Sequence, residues 1–283
     1  MGGPKHLFQG CIIIRDLNAL VKWSDANHLP FNIGKCAMIT FTRRKNPIQA
    51  TYYIKGNAIK SVDQIRDLGV LLQKNLNFEQ QFYVVATRAK RNLVVIMRNS
   101  KILTQVETLR TLYLVLVRSH LEFASTVWDP LSKTHLESLE RIQKRFLRFL
   151  YYKNFGYYEY TITYNELVLG YKLTALNIRR DLMLILFLKD LLTGKIESSY
   201  LLGKINIYAP SRNVRTRGLF HTRQHRTTRL KLVPINRAMD LYNELICIEN
   251  TIDIFHDGRR IIMEKVERAL LKIQDRARMA TSM

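Results

Sequence analysis

The chain has 283 residues, of which 47% are hydrophobic and 10% aromatic, with only 12 glycines and 6 prolines. This length and apolar content allow a substantial core and exclude a disordered tail. With 45 Lys and Arg against 23 Asp and Glu, the formal net charge is +22. Such a field attracts polyanions, so we expect nucleic acid as the partner, with an anionic membrane surface or an acidic protein as alternatives.

The cysteines and the apolar runs bear on where the protein works. Cys11, Cys36 and Cys247 form no CxxC pair, which favours a reducing compartment over disulfides or a cysteine zinc site. No signal peptide opens the sequence, and the most apolar stretch, residues 182–188, is far shorter than the roughly 20 residues of a membrane span. We expect a buried helix there, no membrane partner, and an intracellular protein, nuclear or cytoplasmic, that is not secreted.

The first part of the chain predicts one helix and a small sheet. Residues 16–27 have amphipathic spacing, and Pro30 prevents the helix from continuing. Three β-type segments follow at residues 36–41, 51–54 and 65–72, separated by Asn46-Pro47 and Gly56-Asn57. Hairpin connections of this kind predict a small antiparallel sheet over roughly residues 35–73.

Helical spacing dominates the remainder. Apolar residues recur at steps of three and four from Asn77 to Ile96, from Val106 to Val117 and from Leu136 to Phe149. Further helices are predicted at 176–192, 236–248 and 263–274. The fold class is therefore α+β and predominantly α-helical: a small antiparallel sheet on the N-terminal side, then a helical bundle and a C-terminal helical region.

Three groups of basic residues are candidates for phosphate contact. One lies on the third long helix, opposite its apolar side: Arg141, Lys144, Arg145 and Arg148. A second is a stretch without any acidic residue: Arg212, Arg215, Arg217, Arg223, Arg226, Arg229 and Lys231. A weaker group lies at the first turn of the sheet: Arg43, Arg44 and Lys45. For each group, a merely solvated basic surface is the alternative interpretation.

Motifs for catalysis are missing from the sequence. It contains no Asp-Asp pair, no glycine-rich phosphate loop, no Gly-x-Ser-x-Gly and no His-Glu-x-x-His. His221 and His225 have i,i+4 spacing, but no nearby Cys or acidic residue completes a metal set. The residues therefore predict binding without catalysis, with no catalytic residue and no metal site.

Several strings, taken in order, match one known family. They are Asp16-Leu17-Asn18-Ala19-Leu20, His28-Leu29-Pro30-Phe31, Asp67-Leu68-Gly69-Val70, Arg118-Ser119-His120-Leu121-Glu122, Val127-Trp128-Asp129-Pro130, Leu139-Glu140-Arg141-Ile142 and Arg179-Arg180-Asp181-Leu182. Over roughly residues 15–260 the chain resembles the reverse transcriptases of non-LTR retrotransposons, LINE-type elements of the Jockey-like group. The resemblance implies an RNA-directed DNA polymerase and begins just after the catalytic turn of the palm.

That resemblance implies a role for each part of the chain. Residues 1–75 would be the end of the palm, with Leu68 and Gly69 in a primer-grip-like hairpin. Residues 76–155 would form a thumb-like bundle, and residues 156–283 a basic C-terminal helical region. The aspartates that hold two Mg²⁺ ions in the complete enzyme would precede residue 1, so this chain would lack cofactors and be inactive alone.

The function expected from the sequence is binding of an RNA–DNA hybrid or template-primer backbone through basic helices. Three alternatives stay open. The chain could be a translated transposon relic without function, or a protein-interaction module whose partner binds the exposed palm-side surface. It could also be a truncated part of an active polymerase.

Overall fold

The structure is a computed structural model that describes residues 4–42, 45, 50–130, 132–208, 218–222 and 233–281, with backbone alone for 4–11 and 275–281. The chain forms two compact units, Met1–Gln81 and Phe82–Met283. Long helices and short strand pairs make up the described elements, which confirms a mainly helical α+β fold. The three-part division at residues 75 and 155 stays a prediction.

In the first unit, helix α1 spans Pro4–Ala26 and is longer than the predicted helix at 16–27. The prediction began at Asp16 because amphipathic spacing begins there. The preceding run Ile12-Ile13-Ile14 has no helical period, yet no turn residue interrupts it, and proline is compatible with a first helical turn. The predicted end is confirmed: Asn27 donates its side-chain amide to the Trp23 carbonyl at 2.8 Å, and His28 adopts a φ of 56°.

The predicted single antiparallel sheet is wrong in part. After a short 3-10 turn at Ile33–Lys35 come six short strands: β1 (Ala37–Met38), β2 (Tyr53–Ile54), β3 (Asn57–Ala58), β4 (Lys60–Ser61), β5 (Gln64–Asp67) and β6 (Val70–Gln73). They form three separate pairs. The β2–β3 and β5–β6 pairs are the predicted antiparallel hairpins, but β1 pairs with β4 in parallel. β1 and β4 therefore run in the same direction, with Ala37 opposite Lys60 and Met38 opposite Ser61.

The second unit contains the remaining helices, and the six helices predicted there are present, although the predicted helices at 136–149 and 263–274 extend to Lys133–Phe155 and Arg259–Thr281. They are α2 (Glu79–Asn99, whose first turn belongs to the first unit), α3 (Val106–Tyr113), α4 (Ser119–Glu122), α5 (Ser125–Trp128), α6 (Lys133–Phe155), α7 (Tyr164–Gly170), α8 (Leu176–Leu192), α9 (Ser199–Leu202), α10 (Pro234–Ile248) and α11 (Arg259–Thr281). The predicted second helix is α3, which continues through a five-residue π-helical segment, Leu114–Arg118, into α4.

Helices α2 and α6 lie side by side and run in the same direction. Near their starts, the rings of Phe82 and His135 stack with centroids 4.1 Å apart. Near their ends, the Lys153 ammonium donates to the Ser100 carbonyl at 3.0 Å. Most of the predicted apolar positions of both helices are buried, namely Phe82, Val85, Ala89, Leu93, Ile96, Leu139, Ile142 and Phe146. Phe78, Leu136 and Phe149 are half-buried.

Helix α8 is the centre of the remaining core. It packs against α10 and α11, and its apolar run 182–188 is buried on several sides, as the sequence predicted. Even Lys189 is buried there, and its ammonium donates to the Ile254 carbonyl at 2.9 Å. No helix in the described part of the chain is long and apolar enough to cross a membrane.

Candidate nucleic-acid interface

Helix α6 presents the predicted basic residues on its outer side. Arg141, Arg145 and Arg148 are exposed, and Lys144 is half-buried. The i, i+4, i+7 spacing of the three arginines places them on one stripe, opposite the buried apolar residues. We call these four residues the α6 basic face. Because the three arginines are exposed, a phosphate group in solution could contact their guanidiniums along one side of the helix.

The α6 basic face has little internal neutralisation. Arg141 pairs with Glu137 at 3.7 Å, with 75% of the arginine side chain exposed. An exposed pair of this kind contributes only a few tenths of a kcal/mol and dissociates readily. Within the described residues, no carboxylate forms an ion pair with Lys144, Arg145 or Arg148. The four residues together therefore carry a largely uncompensated charge.

Helix α2 carries a second basic face that the sequence reasoning missed. Arg88, Lys90, Arg91 and Arg98 are all exposed, and no described carboxylate pairs with them. The sequence could have revealed this face, because the predicted apolar stripe of α2 leaves Arg88, Arg91 and Arg98 away from the buried side. Arg88 lies close to His120 of α4. The pKa of His120 is lowered, first by burial and then by the charge of Arg88.

The arginines of the string Arg179-Arg180 have a different role from those on α6. Arg179 on α8 forms a two-pronged ion pair with Glu122 of α4, through Nε to Oε1 and through Nη2 to Oε2 at 2.8 Å. Arg118 approaches the same carboxylate at 3.4 Å. All three side chains are at least 82% buried, since their exposed fractions are 18% or less. These arginines are paired with a carboxylate inside the protein, so they are not available to bind phosphate.

The neighbouring Arg180 joins the same segments at a second point. Its Nη1 donates to Asp129 at 2.9 Å, its Nη2 donates to the Leu121 carbonyl at 3.0 Å, and its guanidinium lies 5.2 Å from the Trp128 ring centroid. Asp129 also accepts from Arg237 of α10 at 2.7 Å. We call the pairs Arg179–Glu122 and Arg180–Asp129 the arginine clasp. It joins three of the strings that carry the family resemblance, at 118–122, 127–130 and 179–182.

The predicted hairpin at Leu68 and Gly69 is present between β5 and β6. Both turn residues have positive φ, 44° for Leu68 and 87° for Gly69, as a two-residue turn joining antiparallel strands requires. The Leu68 side chain is 88% exposed. A leucine in the left-handed region with its side chain in solvent gains no packing from that conformation. Its role as a primer grip stays a prediction.

Most of the other basic candidates lie outside the described residues. Arg43 and Arg44 lie outside the described residues, whereas Lys45 is described and exposed. The long basic stretch also lies outside them, with Arg212, Arg215, Arg217, Arg223, Arg226, Arg229 and Lys231. On either side of residues 209–217, Ile207 and Phe220 form an antiparallel bridge. Asn243 of α10 holds this bridge through both backbone groups of Phe220.

The described residues offer no set of ligands for catalytic metal ions. Among them, no group of three or more His, Cys, Asp or Glu side chains lies close enough to hold an ion. The two Mg²⁺ ions implied by the resemblance therefore find no fitting carboxylates in this part of the chain.

Comparison with known proteins gives one informative similarity. The chain is 27% identical over 137 residues to the RNA-directed DNA polymerase from mobile element jockey of Drosophila funebris. The matched stretch covers 47% of this chain and 14% of that protein. No family model matches the chain, and neither does any solved structure. Over about half its length, the chain is thus similar to a small part of a mobile-element reverse transcriptase.

Proposed function

We propose that this chain is the thumb-side part of a non-LTR, Jockey-like reverse transcriptase, and that it binds nucleic acid through the α6 basic face. The observation that carries the proposal is the row of four cations on one side of α6, of which only Arg141 forms an ion pair with a described carboxylate. The similarity to a mobile-element polymerase and the net charge of +22 support it.

The geometry of the row suits a sugar–phosphate backbone. From Arg141 to Arg148 the helix rises about 10 Å, at about 1.5 Å per residue. Along one strand of a duplex, that distance corresponds to roughly three phosphates. Contacts of this kind position a strand without reading its bases, so we expect affinity for an RNA–DNA hybrid or template-primer without sequence specificity.

A salt titration tests the proposal. The purified chain is titrated with RNA–DNA hybrid, duplex DNA and single strands across a range of salt concentrations. The test variant carries Arg141→Gln, Lys144→Gln, Arg145→Gln and Arg148→Gln. If all four residues contact duplex phosphates, the slope of log affinity against log salt becomes shallower by roughly 3.6, and for single strands by roughly 2.8.

A charge-matched control separates a binding face from general basicity. Lys22, Lys35, Lys60 and Arg66 are exposed in the first unit, and no described carboxylate pairs with them. Their replacement by Gln lowers the net charge by the same amount, from +22 to +18. If the two variants lose the same amount of nucleic-acid affinity, a dedicated binding face on α6 is refuted. Weak binding to every nucleic acid at low salt would refute the proposed function and leave the relic or the protein partner.

The remaining expectations keep their status as predictions. A polymerase that is active only as part of a longer chain is consistent with the same binding face. Primer extension by this chain alone would contradict the predicted inactivity. A partner on the palm-side surface and a nuclear or cytoplasmic location stay predictions.

A further inference from the structure

The C-terminal end of α6 carries a dense group of aromatic residues. Seven of the twelve residues 149–160 are Phe or Tyr. Helix α6 ends because Gly156 adopts a φ of 77° and donates its N–H to the Tyr152 carbonyl at 2.8 Å. The chain then turns back, so that residues 157–160 lie beside the last turns of the helix. We call this group the aromatic patch: Tyr151, Tyr152, Phe155, Tyr157, Tyr158 and Tyr160.

Five rings of the aromatic patch contact another ring, in one group of three and one pair, but the patch is not buried as a core. The centroid of Tyr151 lies 4.6 Å from that of Phe155 and 6.0 Å from that of Tyr157. Tyr158 and Tyr160 are 5.1 Å apart. Even so, Tyr152, Phe155 and Tyr157 are 52–55% exposed, and Tyr160 is 87% exposed. Exposed aromatic surface of this density marks a site of interaction.

The charges around the aromatic patch favour a polyanion. The guanidinium of Arg148, a member of the α6 basic face, lies 5.6 Å from the Tyr158 ring centroid, so the two surfaces are continuous. Residues 141–160 include five basic residues and a single acidic one, Glu159. The Glu159 carboxylate accepts the Thr161 hydroxyl at 2.8 Å. A hydrogen bond with Tyr157 raises the pKa of Tyr151 to about 12.

We propose that the aromatic patch is a stacking platform for the unpaired bases of a single-stranded RNA or DNA whose backbone lies along the α6 basic face. Rings beside a row of cations are the combination that holds single strands, because every base has a π-face. In a duplex the bases already stack on each other and are not available. The proposal rests on the proposed function, and it adds a preference for single strands.

The test compares ligands that differ only in their bases. Single-stranded RNA and DNA, an abasic strand of equal length, and duplex DNA are titrated at one salt concentration. The ring-deleted variant carries Tyr152→Ala, Tyr157→Ala and Tyr160→Ala. We expect its affinity for single strands that carry bases to fall about tenfold for each protein ring on which a base no longer stacks. Affinity for duplex and for the abasic strand is expected to stay within about twofold, since neither stacks on the platform.

Three controls make the outcome decisive. Tyr152→Phe, Tyr157→Phe and Tyr160→Phe keep the rings and are expected to bind as the parent does. Tyr200→Ala removes a ring that is 72% exposed on α9, outside the patch, and is also expected to have no effect. Unfolding midpoints of all variants are compared with the parent, and Tyr160→Ala alone serves as the mildest ring deletion.

The platform and the proposed function fail in different ways. If based and abasic strands bind the parent equally, or if ring deletion weakens duplex binding as much as single-strand binding, the platform is refuted while the α6 basic face stands. If ring deletion changes self-association or protein binding but no nucleic-acid affinity, the patch is a protein interface and the platform is refuted. If the parent binds no nucleic acid, both proposals are refuted.

Discussion

The arginine clasp should make a measurable contribution to the stability of the second unit. In Glu122→Ala, the guanidiniums of Arg179 and Arg118 lose the carboxylate that both contact. Removing one partner of a buried pair costs about 3–5 kcal/mol, because the remaining charge is left unpaired. These side chains keep 14–18% of their surface exposed, so we expect about 3 kcal/mol, near the lower limit.

A double-mutant cycle isolates the contribution of the pair itself. Glu122→Ala, Arg179→Ala and the double variant are unfolded in urea, and the free energies of unfolding are compared. Because the single changes each break the same two-pronged contact, we expect a coupling energy of about 2 kcal/mol. The unit of about 200 residues should remain folded, since domains are stable by about 5–15 kcal/mol.

The chain offers a reporter for this unit alone. It contains two tryptophans, of which Trp23 is exposed on α1 and Trp128 is fully buried beside Arg180. In a Trp23→Phe background, fluorescence follows only the surroundings of the clasp. An unchanged dependence on urea would show that the variants unfold from the same compact state.

An exposed pair in the same unit is the matched control. Arg260 and Glu264 on α11 are 3.2 Å apart, with side chains 92% and 60% exposed. The same cycle there should give a coupling energy below about 0.5 kcal/mol, as for exposed pairs four residues apart on helices. If the Glu122–Arg179 cycle gives an equally small value, the clasp does not stabilise the fold and the reasoning is wrong.

Two further predictions concern a half-buried carboxyl and a strained turn. Burial, opposed by the charge of Arg237, raises the pKa of Asp181 to about 6, so the folded state holds this proton more tightly than the unfolded chain. The free energy of unfolding should therefore fall as pH rises from about 4 to 6. In urea unfolding, Asp181→Asn should be up to about 3 kcal/mol more stable than the parent at pH 7 and equal to it below about pH 4. A gain in stability that does not depend on pH would contradict this assignment. Leu68→Gly should relieve the positive φ of the β5–β6 turn and stabilise the hairpin by about 0.5–1 kcal/mol, whereas Gly69→Ala should destabilise it by a similar amount. Slower amide hydrogen exchange across Gln64–Gln73 in the first variant and faster exchange in the second would be the readout, and the opposite order would refute the strain argument.

Local patterns determined which segments are helical. The apolar spacing of α2, α6 and α8 is visible in the sequence because each helix buries one side, or several sides in α8. The turn at Gly56 was predicted from its local Gly-Asn signal, whereas the hairpin at Leu68 and Gly69 was implied by the family resemblance; both glycines have positive φ. The basic character of α6 also follows from spacing, because its apolar residues leave the arginines facing outwards.

Pairing between distant segments was decided only by the tertiary structure. The arginine clasp joins residues more than fifty positions apart, and spacing along the chain cannot show which of many arginines will find a buried carboxylate. For the same reason, the parallel pairing of β1 with β4 was mistaken for part of an antiparallel sheet. The arginines differ in burial and therefore in role. Arg179 and Arg180 form ion pairs within the protein, whereas Arg145 and Arg148 remain exposed. The sequence alone determined the helices, the hairpins and the excess of positive charge. The packing of α8 against α4 and α5 decided which of those charges hold the protein together and which face the solvent.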